Sequence, residues 1–208
     1  MKQIKIKVYS DFICPWCYIG KIRLERVSQN LQNELDIIID TKPYILYPHI
    51  PIGGSPKSEF AKKTKPGMGR SLRHEADKEN IEINYKLIDR IPNSIEAHRL
   101  ISLIPDLKLK LEISKDIFKA YFLEGKNIED ARTLITIASQ YQLDQKIINL
   151  FNQKDYGINK VIEEISEAKN KFISLVPTIE LHSELNILGL QSADVWENYF
   201  RRTARMLS

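Results

Sequence analysis

Strand character in this chain is confined to its two ends, and this restricts the fold more than any other feature. Residues 3–9 alternate, with Ile4, Ile6 and Val8 on one side and Lys5 and Lys7 on the other, the pattern of a half-buried strand. Leu24, Val27, Leu31 and Leu35 then recur at helical spacing. Residues 35–40 form a β-branched run that continues toward Tyr44. A strand–helix–strand unit of this length implies a parallel pair joined by a right-handed crossover. Strand character returns only at residues 177–181 and 187–189, which read as a hairpin. A last helix follows Ser192, with Val195, Trp196, Tyr199 and Phe200 on one face. Neither end alone could close a core, so the two are expected to form one sheet.

The intervening stretch is of another kind. Residues 47–80 are punctuated by Pro48, Pro51, Gly53, Gly54, Pro56, Pro66, Gly67 and Gly69, and read as a loop with one short helix at 57–63. From about 70 to 172 the pattern is almost wholly helical. Ile117, Phe118, Tyr121 and Phe122 form one face, Leu134, Ala138 and Tyr141 a second, and Val161, Ile165, Ala168 and Phe172 a third. Joints are expected at Pro92, Pro105, Gly125 and Gly157. The fold class is therefore α/β, with a large all-helical domain between a β-α-β half and a β-β-α half. The expected division is 1–47 with 173–208 as one discontinuous domain and 48–172 as the insert.

The chemistry concentrates where the first strand gives way to the first helix. That junction reads Ser10-Asp11-Phe12-Ile13-Cys14-Pro15-Trp16-Cys17. A thiolate is the nucleophile in disulfide exchange. Cys14 stands just before the helix, where unpaired backbone N–H groups and the positive dipole end favour negative charge. Pro15 suits the first helical turn. Cys17 falls one turn inward, close enough to close a small ring with Cys14. Cys14 is expected to be the exposed attacker and Cys17 the more buried resolver. A chance C-x-x-C is the competing reading, and the strand-to-helix placement argues against it. Zinc is disfavoured, since there are no other cysteines and the four histidines are scattered at 49, 74, 98 and 182.

Composition sets the surroundings of that motif. The chain has 208 residues, enough to bury a core without disulfide staples, and a formal net charge of +4 with acids and bases mixed. The short basic cluster Lys62-Lys63-Thr64-Lys65 reads as a solvated loop, not a nucleic-acid surface. The start, Met-Lys-Gln-Ile-Lys-Ile-Lys-Val, carries lysines within its apolar run and does not read as a signal peptide. No apolar run approaches a membrane span. A cytoplasmic protein is expected, and in that compartment a C-x-x-C pair reads as redox-active.

Several segments together resemble the DsbA family of the thioredoxin superfamily. The match is closer to the FrnE-like branch, which includes the 2-hydroxychromene-2-carboxylate isomerases and is related to kappa-class glutathione transferases. The segments are residues 10–21, with Cys14-Pro15-Trp16-Cys17; residues 92–100, Pro-Asn-Ser-Ile-Glu-Ala-His-Arg-Leu; residues 118–122 with Gly125; and Val176-Pro177. The resemblance implies a thioredoxin fold carrying an inserted helical domain. It also implies a cis Pro177 opposite the cysteines, with the Val176 backbone turned toward substrate. It places the helix bearing His98 over the site. Thr178 departs from the family, where an aromatic side chain is usual, and the turn at 182–186 lacks the expected glycine.

For the remaining residues two readings stay open. His98 is either an interior hydrogen-bonded histidine or a catalytic one. Asn93 and Glu96 have the spacing of a helix-capping pair. Trp16 is a lid over the cysteines, a packed aromatic, or both, while Tyr18 and Lys21 read as packing and surface. The leading functional expectation is dithiol–disulfide exchange with protein or small thiol substrates, requiring no metal or organic cofactor. Glutathione is a conceivable co-substrate. The alternatives are a glutathione-dependent isomerase or transferase using one cysteine, and a non-enzymatic binding or chaperone module. Neither a nucleic-acid partner nor a membrane is expected, and the oligomeric state stays open.

Overall fold

The computed structural model describes residues 1–63, 69–182 and 185–207. Its main sheet has four strands: β1 (Lys2–Ser10), β2 (Leu35–Pro43), β5 (Thr178–Glu180) and β6 (Asn186–Leu188). Their order is β2-β1-β5-β6. β1 pairs in parallel with β2, aligning Ile4 with Ile37 and Ile6 with Ile39. On its other edge it runs antiparallel to β5, with Tyr9 opposite Thr178. The two ends of the chain do share one sheet, and β1 is the strand that joins them.

Helix α1 (Pro15–Asn30) connects β1 to β2, and α9 (Ala193–Met206) follows β6. Ile4, Ile6 and Val8 of β1 pack with Leu24 and Val27 of α1 and with Trp196 and Phe200 of α9 in one buried cluster. The helical stripe read from Leu24 to Leu35 ends sooner than expected. Leu31 caps α1, and Leu35 already opens β2.

Between the halves of the sheet lie α2 (Lys57–Lys63), α3 (Arg70–Lys78), α4 (Ile95–Leu103), α5 (Leu107–Phe122), α6 (Ala131–Ala138), α7 (Gln145–Phe151) and α8 (Ile158–Asn170). The stretch is not all-helical. β3 (Ser55–Pro56) and β4 (Arg90–Ile91) make a small antiparallel pair, and no helix covers 80–94. Pro92, Pro105, Gly125 and Gly157 all fall between helices. Gly125 and Gly157 have φ of +68° and +84°, conformations that suit glycine where a helix ends or begins. Phe172, expected on the buried face of α8, lies beyond the helix end with φ +56° and is 90% exposed. Thr64, Lys65, Pro66, Gly67, Ser183 and Glu184 lie outside the described residues.

One ion cluster ties α1 to α3. Arg23 Nε donates to Glu79 Oε1 at 2.6 Å and its Nη2 to Glu75 Oε2 at 2.7 Å. Its Nη1 donates to the Gln191 carbonyl at 2.8 Å. Arg26 adds two hydrogen bonds to Glu79, at 3.0 and 2.8 Å. The Arg23 and Glu79 side chains are 3% and 1% exposed, so these charges are fully enclosed and fully paired.

Candidate active site

β1 delivers the chain to a tight turn in which Cys14 N donates to the Asp11 carbonyl at 3.0 Å. Cys14 caps α1 with extended backbone angles, and Pro15 occupies the first helical turn. The Cys14 carbonyl accepts from Cys17 N and Tyr18 N at 3.0 and 3.2 Å, so α1 begins between the two cysteines. Both thiols are free, and the two cysteines approach to 3.3 Å.

From the far half of the chain comes the loop before β5. The Val176–Pro177 peptide bond is cis. The Cys14 thiol donates to the Val176 carbonyl at 3.8 Å. Pro177 packs on Gly20, where an added Cβ would stand 3.0 Å from the proline Cγ. Thr178 is fully buried, and its hydroxyl donates to the Leu175 carbonyl at 2.5 Å. A short hydroxyl thus ties the loop back on itself.

Burial of the two sulfurs differs from expectation. Cys14 is 3% exposed and Cys17 is 1% exposed, so the attacking position is not an open one. Cys14 belongs to the same buried cluster as Ile50, Phe60, Ile83 and Ile88, against which Trp16, Tyr47 and Tyr85 also pack. Apart from Trp16 on α1, these residues come from 47–60 and from the irregular chain at 83–88, whose sequence carries no period from which a cover could be read. Burial, with the Cys14 sulfur nearby, pushes the Tyr85 phenol up to about 12, and Tyr47 moves the same way for the same reasons.

Burial also pushes the Cys17 thiol well up, and its hydrogen bond to Cys14 adds to the effect. At neutral pH Cys17 therefore holds its proton. Tyr18 stacks on Phe118 and Phe122, with ring centroids 5.5 and 5.7 Å away. Lys21 is not on the surface: its side chain is 8% exposed and pairs with Glu25 at 3.0 Å.

Asp11 is a residue that sequence reasoning missed. It is wholly buried, and its carboxylate accepts from Ile13 N at 3.3 Å and from Leu46 N at 2.6 Å. Its position three residues before Cys14 was the available signal. His98, on α4, is 6% exposed, with its ring 4.9 Å from that of Phe12. Its Nε2 lies 3.7 Å from Asp11 Oδ1. The capping pair expected beside it does not form. Asn93 Oδ1 accepts from Ile95 N in a local turn, while Glu96 binds Arg99.

The profile of the DSBA-like thioredoxin domain family matches residues 5–201. The chain belongs to that family. Among curated relatives, the uncharacterized protein YwbO of Bacillus subtilis (strain 168) is 27% identical over 145 residues, covering 68% of each chain. The probable DsbA oxidoreductase SCO1869 of Streptomyces coelicolor superposes with a TM-score of 0.81 at 19% identity, covering 96% of this chain and 89% of the other. The cytosolic disulfide reductase DsbM of Pseudomonas aeruginosa gives 0.69 at 14% identity, covering 97% and 99%. DsbM has also been solved with GSH. At these identities the structural likenesses establish the DsbA thioredoxin-like fold. Among the described residues, no helix is long and apolar enough to cross a membrane.

Proposed function

We propose that the protein is a cytoplasmic thiol–disulfide oxidoreductase working by dithiol–disulfide exchange through Cys14-Pro15-Trp16-Cys17. One observation carries this reading: two free thiols 3.3 Å apart at the start of a helix, the first of them on the Val176 carbonyl. The Cys14 thiolate attacks a substrate disulfide, and one substrate sulfur leaves with the electron pair. Cys17 then attacks the Cys14–substrate bond, releases the second substrate thiol, and closes the Cys14–Cys17 disulfide. The substrate is reduced by two electrons and the protein is oxidised by two. No organic cofactor or metal enters, because the electrons move through sulfur.

Val176 and Pro177 are proposed to present backbone to the substrate beside Cys14, and Trp16 to wall the same mouth. The small exposure of Cys14 favours compact thiols and disulfides, glutathione among them. A fold relative named for cytosolic disulfide reduction and solved with GSH supports that choice and the compartment. The test is Cys17→Ser. Attack survives, resolution is lost, and mixed disulfides should accumulate that dithiothreitol releases. A Cys17→Ser protein that turns over normally and traps nothing would sink the reading and favour one-cysteine isomerase or transferase chemistry.

A further inference from the structure

Behind Cys17 a partly open cavity of about 40 Å³ lies between the strands β1 and β2 and the helices α1, α4, α5 and α8. Cys17, Thr41, His98 and Ser114 line it, with Lys21. A buried water needs on the order of 10–15 Å³ of such space and two to four polar partners, which leaves room here for about three waters. The walls supply the partners. Nε2 of His98, Oγ of Ser114 and Oγ1 of Thr41 are all buried and find no hydrogen-bond partner among the described residues. Native interiors seldom leave such groups unsatisfied, so three around one cavity point to water held between them.

The resolving step needs such a route. Cys17 must shed its proton to become the attacking thiolate, yet it is enclosed. Its immediate polar neighbours, the Ser10 hydroxyl and the Asp11 backbone N–H, donate toward the sulfur. They steady a thiolate but are poor proton acceptors. His98 is different, since an imidazole carries a ring nitrogen that can accept a proton. The buried Asp11 carboxylate lies 3.7 Å from Nε2 and holds the ring in place.

We propose that His98, steadied by Asp11, takes the proton of Cys17 through water in this cavity as Cys17 attacks the mixed disulfide. The proposal rests on the dithiol reading above. The Cys17 proton passes to water, and a water proton passes to Nε2. The Cys17–Cys14 sulfur bond forms, the Cys14–substrate sulfur bond breaks, and the substrate leaves as a thiolate with the electron pair. His98 then returns its proton to solvent by the side of the cavity lined by Lys42, Lys110 and Glu164. The other charges around the imidazole are Asp11 and Lys21, the latter paired with Glu25 and near Lys115 and Glu112. His98 is thus a relay that acts on Cys17 through water.

The test mixes reduced protein with excess glutathione disulfide in stopped flow, with acid-quenched samples weighed by mass spectrometry. Attack by Cys14 depends on disulfide concentration, whereas resolution by Cys17 does not. His98→Gln should slow the concentration-independent phase about 10²-fold, leaving the first phase unchanged. An unaltered second phase overturns the proposal. Equal slowing of both phases also overturns it, since the imidazole would then only support structure. Thr41→Val with Ser114→Ala removes the two hydroxyls that hold the water but spares the imidazole. It should slow the same phase about tenfold, and an unchanged rate would refute the water path. This second protein carries the test if His98→Gln does not fold. If Cys17→Ser forms no mixed disulfide at all, the dithiol reading fails first and takes the relay with it.

Discussion

Helix α1 has two buried polar regions beside it, and they are finished differently. Toward α3, Arg23, Arg26, Glu75 and Glu79 form a cluster whose enclosed charges are matched by opposite charges or a carbonyl. Toward α4 and α5, Cys17, His98, Ser114 and Thr41 surround a cavity, and three of their polar atoms have no partner among the described residues. Both regions bury polar atoms at a cost. The first recovers that cost in geometry that does not change. The second leaves hydroxyl and imidazole atoms unpaired beside a cavity. The difference teaches where to look for chemistry along a single helix: on the side where the polar accounts are left open.

The largest test of this contrast is Glu79→Ala. Removing one member of an enclosed ion pair strands its partner, and the loss should be about 3–5 kcal/mol of unfolding free energy. Disulfide exchange by the protein that remains folded should be unchanged. A loss under about 1 kcal/mol in urea denaturation would mean that the cluster is not the rigid staple described.

The pH dependence should separate the regions next. Burial opposes ionisation of Glu79, but hydrogen bonds from Arg26 and Arg23 outweigh it and hold the carboxyl below its usual range. Its stabilisation is present above the unfolded carboxylate pKa of about 4.3 and is lost as pH falls below that value. Cys17 is shifted the other way. Its stabilisation is complete below the unfolded thiol pKa of about 8.5 and drains away as pH rises beyond it. Denaturation midpoints of the reduced protein should therefore fall on both flanks. Glu79→Gln should blunt the acid flank alone, and Cys17→Ala the flank between about pH 8.5 and 10. The same flank responding to both variants would erase the distinction.

A smaller effect is expected where α1 meets the loop before β5. Gly20→Ala gains about 1 kcal/mol of helix propensity, but its methyl would press on Pro177 at 3.0 Å. Overpacking costs about 1–3 kcal/mol, so the net should be a loss of about 1 kcal/mol with slower exchange. A more stable variant with unchanged kinetics would show that the contact gives way freely. The smallest effect belongs to Ser114→Ala. Its hydroxyl has no direct partner among the described residues, so stability should change by less than about 1 kcal/mol in either direction. A loss as large as that of Glu79→Ala would erase the contrast from the other side.

These regions were unequally legible in the sequence. Cys14, Pro15 and Cys17 could be placed because strand end, helix start and C-x-x-C lie within a few adjacent residues. The pairing of β1 with β2 and the start of α9 after Ser192 followed from local periodicity in the same way. Asp11 was passed over because one of its two backbone partners, Leu46, lies 35 residues away. Cys14 shares its buried cluster with Ile50, Ile83 and Ile88, from stretches whose only signals are prolines, glycines and isolated apolar residues. Phe172 fitted the spacing of α8, yet the helix ends two residues earlier, at Asn170. Lys21 looked like surface because a charge in a helix usually is. Its burial follows from the closeness of α1 and α5, which one helix's own sequence does not disclose.

The central place of β1 has a consequence for the order in which the molecule can be assembled. One edge of β1 finds its partner after a single helix, but the other waits for β5, with Tyr9 opposite Thr178. A ribosome adding about 5–20 residues each second needs on the order of ten seconds to travel from β2 to β5. During that interval both cysteines are already made, but the carbonyl of Val176 that will meet Cys14 is not. A nascent chain therefore carries its reactive pair with one strand edge unpaired and the wall of the site missing. Contacts between residues so distant along the chain also slow folding. Competence for exchange should appear late and all at once, when the tail of the chain closes the sheet.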